Sequence, residues 1–164
     1  MEGLLKKENK EALSAKTSVV SSEELADRIY QGESLPQDPR FLSYERGGVF
    51  RFFDPRELSA IHSFTAESKS KFYPLIEVGG EVVGLSELEQ DIKDAHNLWI
   101  KFVSVDPKYQ GNGYSTKLIE EIFRFAKEKG YSLQPSFYTE EGRTKLKAIV
   151  ERCAKETGVE LKTV

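Results

Sequence analysis

"SVDPKYQGNGYSTKL", residues 104–118, sets two glycines a residue apart, Gly111 and Gly113, between an apolar run and an amphipathic one. The run before it, "NLWIKFVSV" (97–105), has strand composition and stops at Asp106-Pro107. Proline has no N–H to extend a ladder and pushes the preceding residue out of helical geometry. The run after it reads as a helix from Ser115 to Lys129. Leu118, Ile119, Ile122, Phe123, Phe125 and Ala126 form one apolar stripe. Lys127 and Lys129 suit the C-terminal dipole and Gly130 supplies the stop. Strand, glycine turn and helix start, in that order, favour an anion. The first N–H groups of a helix lack intrahelical partners, the dipole attracts negative charge, and glycines let a ligand approach the backbone.

The spacing then selects among phosphate cradles. The dinucleotide pattern G-x-G-x-x-G fails because Thr116 stands where the third glycine belongs, and the P-loop pattern G-x-x-x-x-G-K-[ST] is absent. The pattern Q/R-x-x-G-x-G/A fits Gln110-Gly111-Asn112-Gly113-Tyr114-Ser115, with the small Ser115 in the last place. Before it, apolar–x–apolar–x–Pro falls on Val103, Val105 and Pro107. The stretch resembles the acyl-CoA-binding motif of the GNAT superfamily of N-acyltransferases. The likeness is most specific over residues 98–130 and extends, as element order, over 72–164.

The resemblance implies a single-domain GNAT-like acyl-CoA N-acyltransferase fold of the α/β (α+β) class, with a mixed, mostly antiparallel central sheet flanked by helices. It implies acetyl-CoA as cosubstrate and no metal. The pyrophosphate would sit on the backbone of Gln110, Gly111, Asn112, Gly113, Tyr114 and Ser115, with the Thr116 hydroxyl nearby. The pantetheine arm would lie beside the strand at Val103 and Val105. A strand N–H would polarise the thioester carbonyl, and a primary amine would attack it directly.

This sequence departs from the family's proton chemistry. The family's N-x-x-A-x-x-L-Y pattern puts Thr139 at the Asn position, Gly142 at the Ala position and Leu146 where the acidic tyrosine would stand. Tyr138 is the nearby hydroxyl that can substitute, against a plain role in a sheet. Where many relatives carry a glutamate before the turn, this chain has Lys101. Glu87 is the alternative base: an acid ending an apolar strand face has its pKa raised by burial and can act through a water. The competing reading is a solvated strand end beside Glu89. Glu140 and Glu141 open a helix and are explained by its dipole. His62 and His96 are isolated, with no metal-ligand spacing. Trp99 and Tyr114 are candidates to cover the cofactor or line the acceptor site, with packing as the alternative.

Around this segment the rest of the chain falls into place. Residues 1–20 read as a polar tail or loosely docked helix, and 21–164 as the acetyltransferase-like domain. "SSEELADRIYQG" suggests a short helix capped by Ser21 or Ser22, "VFRFF" (49–53) a strand, and "DPRELSAIHSFTAES" a helix. "FYPLIEVGGEVVGLSEL" is a hairpin about Gly79-Gly80, whose tight register sets Ile76 opposite Val83 and Phe72 opposite Glu87. "YSLQPSFYT" is a strand interrupted by Pro135, "EEGRTKLKAIVERCAKETG" a helix, and "VELKTV" a last strand. The strand–helix–strand segment predicts a parallel unit.

The 164-residue chain suits one domain, and its net charge of −3 argues against nucleic-acid or anionic-membrane partners. A lone cysteine, Cys153, permits no internal disulfide and reads as a packed residue in a cytoplasmic protein. Neither a signal peptide nor a membrane span is legible. The partners expected are acetyl-CoA and an amine acceptor, on a small molecule, a peptide or a protein, with a homodimer left open. The alternative function is a catalytically weak acyl-CoA-binding sensor or interaction module.

Overall fold

The computed structural model describes residues 14–21, 24–25, 71–136 and 140–162. They form a five-stranded sheet in simple sequential order. The strands are β1 (Ala15–Ser21), β2 (Lys71–Val78), β3 (Glu81–Gln90), β4 (Asn97–Val105) and β5 (Ser132–Pro135). Helix α1 (Tyr114–Lys129) connects β4 to β5, and α2 (Glu140–Thr157) follows. β1 to β4 pair antiparallel, whereas β4 and β5 are parallel, as a strand–helix–strand unit requires. The mixed, mostly antiparallel sheet expected from the sequence is therefore present.

α1 is the keel of the core. Leu118, Ile119, Ile122 and Phe123 are fully buried, each worth about 1.5–3 kcal/mol of burial. They pack with Ile76, Leu88, Leu98, Ile100, Val103, Val105 and Leu133 of the sheet and with Val150 and Cys153 of α2. Gly130 ends the helix at φ 80°, and the N–H groups of Gly130 and Tyr131 return to the Ala126 carbonyl. Cys153 is a buried packing residue, and burial pushes its thiol pKa up.

Three expectations are corrected. The described part of the supposed tail is β1, paired along its whole length with β2 and clasped to α1 by the Thr17 hydroxyl, which donates to Glu121 (3.0 Å). The end "VELKTV" contributes one parallel bridge, Leu161 to Leu133, rather than a strand. The hairpin turns at Gly79 and Gly80 (φ 59° and 81°), but its register slips between Ile76 and Glu77. Ile76 therefore faces Gly84 and Phe72 faces Leu88, in place of Val83 and Glu87. The cause is local: a Cβ on Gly84 would lie 2.5 Å from Ile76 Cγ2, so only glycine admits this pairing. Val83 becomes the extra residue of a bulge, and its carbonyl accepts the Asp106 N–H (2.8 Å).

The cap expected at Ser21 forms, with Ser21 Oγ accepting the Glu24 N–H (3.1 Å). The strand expected at 49–53, the helix expected at 54–68 with His62, and Tyr138 lie outside the described residues.

Candidate active site

The site begins where β4 runs past its parallel neighbour. β4 pairs with β5 from Asn97–Ser132 to Ile100–Pro135, and the Ser136 N–H and hydroxyl both donate to the Ile100 carbonyl (3.0 and 2.8 Å). β5 ends there, while Lys101 to Val105 continue beside β3 alone among the described strands. At the same point β4 is bulged: Leu88 pairs with Ile100 and Glu87 with Phe102, leaving Lys101 as the extra residue. The bulge reverses the alternation of the strand. Leu98 and Ile100 point into the core before it, and Val103 and Val105 after it. Side chains at the two expected cofactor positions are thus committed to packing, so their backbone is what they can offer a ligand.

The turn follows. Asp106 Oδ1 accepts the Lys108 N–H (3.0 Å) at the start of a single 3-10 turn, Pro107–Tyr109. Gln110 Nε2 donates to the Val105 carbonyl and Asn112 Nδ2 to the Tyr109 carbonyl, both at 3.0 Å. These two side chains brace the loop instead of reaching outwards. Gly111 and Gly113 have φ 85° and 77°, a region that disfavours any residue with a Cβ, and among the described residues a Cβ on either would meet nothing within 4 Å. Gly113 is the N-cap of α1; among the described residues no side chain caps the helix, and no acid occupies its first turn. Tyr114 is buried in the core, so its ring does not cover a ligand, while Ser115 and Thr116 are half-buried at the helix start. An open, uncapped helix N-terminus behind two positive-φ glycines fits a pyrophosphate.

On the sheet face away from α1, Glu87 occupies the position opposite Phe102, next to the overhanging part of β4. It is 3% exposed. The Tyr73 hydroxyl donates to its Oε1 at 2.8 Å, and Lys71 Nζ lies 3.8 Å from the same oxygen. Burial raises the carboxyl pKa above its ordinary value, while Lys71 and then the Tyr73 hydrogen bond pull it back down. Glu87 is therefore neither a solvated strand end nor opposite Phe72. Sequence reasoning missed Tyr73 and Lys71 because the bulge at Val83 decides which β2 residues meet Glu87. Ser86, on the other face, donates to the Phe102 carbonyl (2.6 Å) and satisfies the backbone at the second bulge.

Other candidates are placed elsewhere. Lys101 pairs with Glu89 at 3.4 Å. Leu146 packs against the core, so no hydroxyl stands at the family's tyrosine position. Trp99 Nε1 donates to Asp91 (3.1 Å) at the far end of β4. His96 is exposed there, and among the described residues no cluster of metal-ligating side chains occurs. A groove of about 330 Å³, lined by residues including Asp94, Lys127, Thr157 and Lys162, lies at the C-terminal ends of the helices, opposite the turn.

The fourth strand of the sheet thus overhangs its edge neighbour and leads into a backbone cradle. A model of the acetyltransferase (GNAT) family matches residues 26–158, and the chain belongs to that family. It is an acyltransferase by that membership, and the family uses acetyl-CoA. No curated protein matches it. Among solved structures it is similar to an aminoglycoside acetyltransferase, meta-AAC0020, from an uncultured soil metagenomic sample, solved with sisomicin. That pair is 17% identical with a TM-score of 0.55, covering 92% of each chain. It is also similar to the ribosomal-protein-alanine N-acetyltransferase of Brucella melitensis biovar Abortus 2308, at 15% identity and a TM-score of 0.54 over 83% of this chain and 90% of the other. A third is AAC(6')-Iy, solved with a CoA-containing bisubstrate analogue, at 12% identity and a TM-score of 0.50 over 89% and 90%. At these identities the likeness is one of fold.

Proposed function

We propose that the protein moves an acetyl group from acetyl-CoA to a primary amine by direct attack, with Glu87 as general base. The observation that carries this reading is the uncapped N-terminus of α1 at Gly113, placed at the end of a strand that overhangs its neighbour. The backbone from Gln110 to Ser115, with the Thr116 hydroxyl, would hold the pyrophosphate. The backbone of β4 at Val103 and Val105 would line the pantetheine arm. Bound acetyl-CoA supplies an acyl thioester, so the chain needs no nucleophile of its own.

What the protein must add is alignment and a proton acceptor. Glu87 is one strand over from the overhanging segment, about 4.8 Å in a sheet. Its burial raises the carboxyl pKa, so its carboxylate holds a proton more strongly than an exposed glutamate would, which suits a group that takes one from an ammonium. The acid that serves the leaving thiolate is not Leu146, and Tyr138 keeps that assignment as a proposal. The acceptor is an amine on a small molecule, a peptide or a protein. Leu146 also favours a second reading, an acyl-CoA-binding module that turns over little.

Thermal shift with acetyl-CoA and CoA tests the cofactor, and thiol release across a panel of primary amines tests the transfer. Stabilisation with thiol release is expected. No stabilisation at ligand far above any plausible dissociation constant sinks both readings. Stabilisation without release on any amine selects the binding module.

A further inference from the structure

Glu87 is costly to keep ionised, and its own strand does little to help. Among the described residues, the charged and titratable groups around it are Lys71 and Tyr73 of β2, Glu89 of β3 and Lys101 of β4. Lys101 is paired with Glu89. The groups that touch Glu87 are therefore those of β2, and both converge on Oε1: the Tyr73 hydroxyl at 2.8 Å and Lys71 Nζ at 3.8 Å. Tyr73 is itself 4% exposed, so its hydroxyl is held where its ring is packed. A charge-assisted hydrogen bond in such a setting is stronger than one in water and fixes the orientation of the carboxylate.

We propose that Tyr73 is a positioning residue for acetyl transfer: with Lys71 as charge partner it fixes Oε1 of Glu87 and leaves Oε2 to take the proton of the acceptor ammonium. Lys71, half-buried at the start of β2, supplies the compensating charge. The step is a proton transfer from the acceptor nitrogen to the Glu87 carboxylate, directly or through one water. The nitrogen lone pair is freed for attack, and the proton later passes to solvent. This rests on the reading of Glu87 as base. It adds that the working range of the enzyme on the acid side is set from β2, by the Lys71 ammonium and the Tyr73 hydroxyl together.

The test uses full-length protein labelled with carbon-13 at its glutamate carboxyls, without ligand, with Glu87→Gln assigning the resonance. In Tyr73→Phe the Glu87 titration is expected to move to higher pH, because a donor to the charged form is lost. Lys71→Met should move it the same way, and that half-buried site keeps the test available if the buried variant fails to fold. In thiol release, Tyr73→Phe should lower kcat at neutral pH about 10-fold, leave KM for acetyl-CoA unchanged, and recover as pH rises. A merely structural role would lower activity at all pH values alike. A Glu87 titration unmoved by both substitutions overturns the proposal. A titration that moves while the acid limb of kcat stays in place overturns it through the base assignment, leaving acetyl transfer itself intact. If the wild type turns over no amine, the functional reading fails, and the unliganded titration still decides whether Tyr73 holds Glu87.

Discussion

The glycine turn and the Tyr73–Glu87 pair adjoin the same stretch of β4, yet they are made of different materials. The turn works with backbone: its side chains either brace the loop, as Gln110 and Asn112 do, or enter the core, as Tyr114 does. The pair works with side chains from two strands, buried and joined by one hydrogen bond. A backbone site is specified by its own few residues, because φ angles and a helix start are local properties. A side-chain site across strands is specified by register, which depends on every bulge between it and the turn. The turn therefore tolerates change elsewhere in the molecule, whereas the pair depends on the bulges at Val83 and Lys101.

The sharpest way to break the first half of that contrast is Gly113→Val. At φ 77° a β-branched residue is strained, and among the described residues its Cβ would meet no neighbouring group within 4 Å, so the side chain would project into the space proposed for the pyrophosphate. We expect acetyl-CoA affinity to fall about 100-fold or more by calorimetry, with circular dichroism unchanged. Retained affinity would show that the cradle is elsewhere.

Glu87→Gln addresses the other half. Loss of a general base should lower kcat about 100-fold without changing acetyl-CoA affinity. The same substitution should raise Tm at neutral pH. The folded-state pKa of Glu87 is raised above its ordinary value of 4.5, so its favourable contribution is complete below that value and is lost as pH rises through the folded pKa. A glutamine carries no such loss, and the difference between the two proteins should close in acid. A pH–rate profile identical to wild type would remove Glu87 from the chemistry.

Gly84→Ala tests whether register is what links the hairpin to the site. Its Cβ would lie 2.5 Å from Ile76 Cγ2 and 3.3 Å from the Ser104 carbonyl oxygen, and Ile76 is fully buried with no room to yield. Overpacking of this kind costs about 1–3 kcal/mol. Turnover should fall further than acetyl-CoA affinity, because the strain enters through the β2–β3 pairing and not through the turn. Equal losses of both would mean that the two sites are not separable.

What could be read from the sequence follows the same division. The expectation for β4 coincides with the observed strand, and the helix after it starts one residue early, because an apolar stripe, a proline and two glycines are strong local signals. The φ values at Gly111 and Gly113 are what a backbone cradle needs. β1 escaped notice because its partner lies far along the chain and "AKTSVVS" has only a weak alternation to announce it. Glu87 was legible as an acid at the end of an apolar face. Tyr73 was not, because a tight hairpin places Phe72 opposite Glu87 and only the bulge at Val83 changes the pairing. The second bulge, at Lys101, is equally silent, yet it turns Val103 and Val105 towards α1 and Phe102 towards the face that carries Glu87.

The smallest effect should come from Thr17→Val, which asks how far the edge of the sheet supports its centre. Glu121 is 5% exposed and accepts from the Thr17 hydroxyl at 3.0 Å and from Arg124 Nε at 2.9 Å. The carboxylate in turn holds the Arg124 pKa above its ordinary value. Valine removes one donor from a buried carboxylate that keeps its arginine, at a cost of about 1 kcal/mol, or roughly 2–4 °C in Tm. β1 also pairs with β2, where Val20 stands opposite Tyr73. If β1 only closes the sheet, the acid limb of the rate profile stays in place while Tm falls. If the limb moves with Tm, the clasp between β1 and α1 helps hold the Tyr73 hydroxyl on Glu87, and the side-chain site reaches to the edge of the fold.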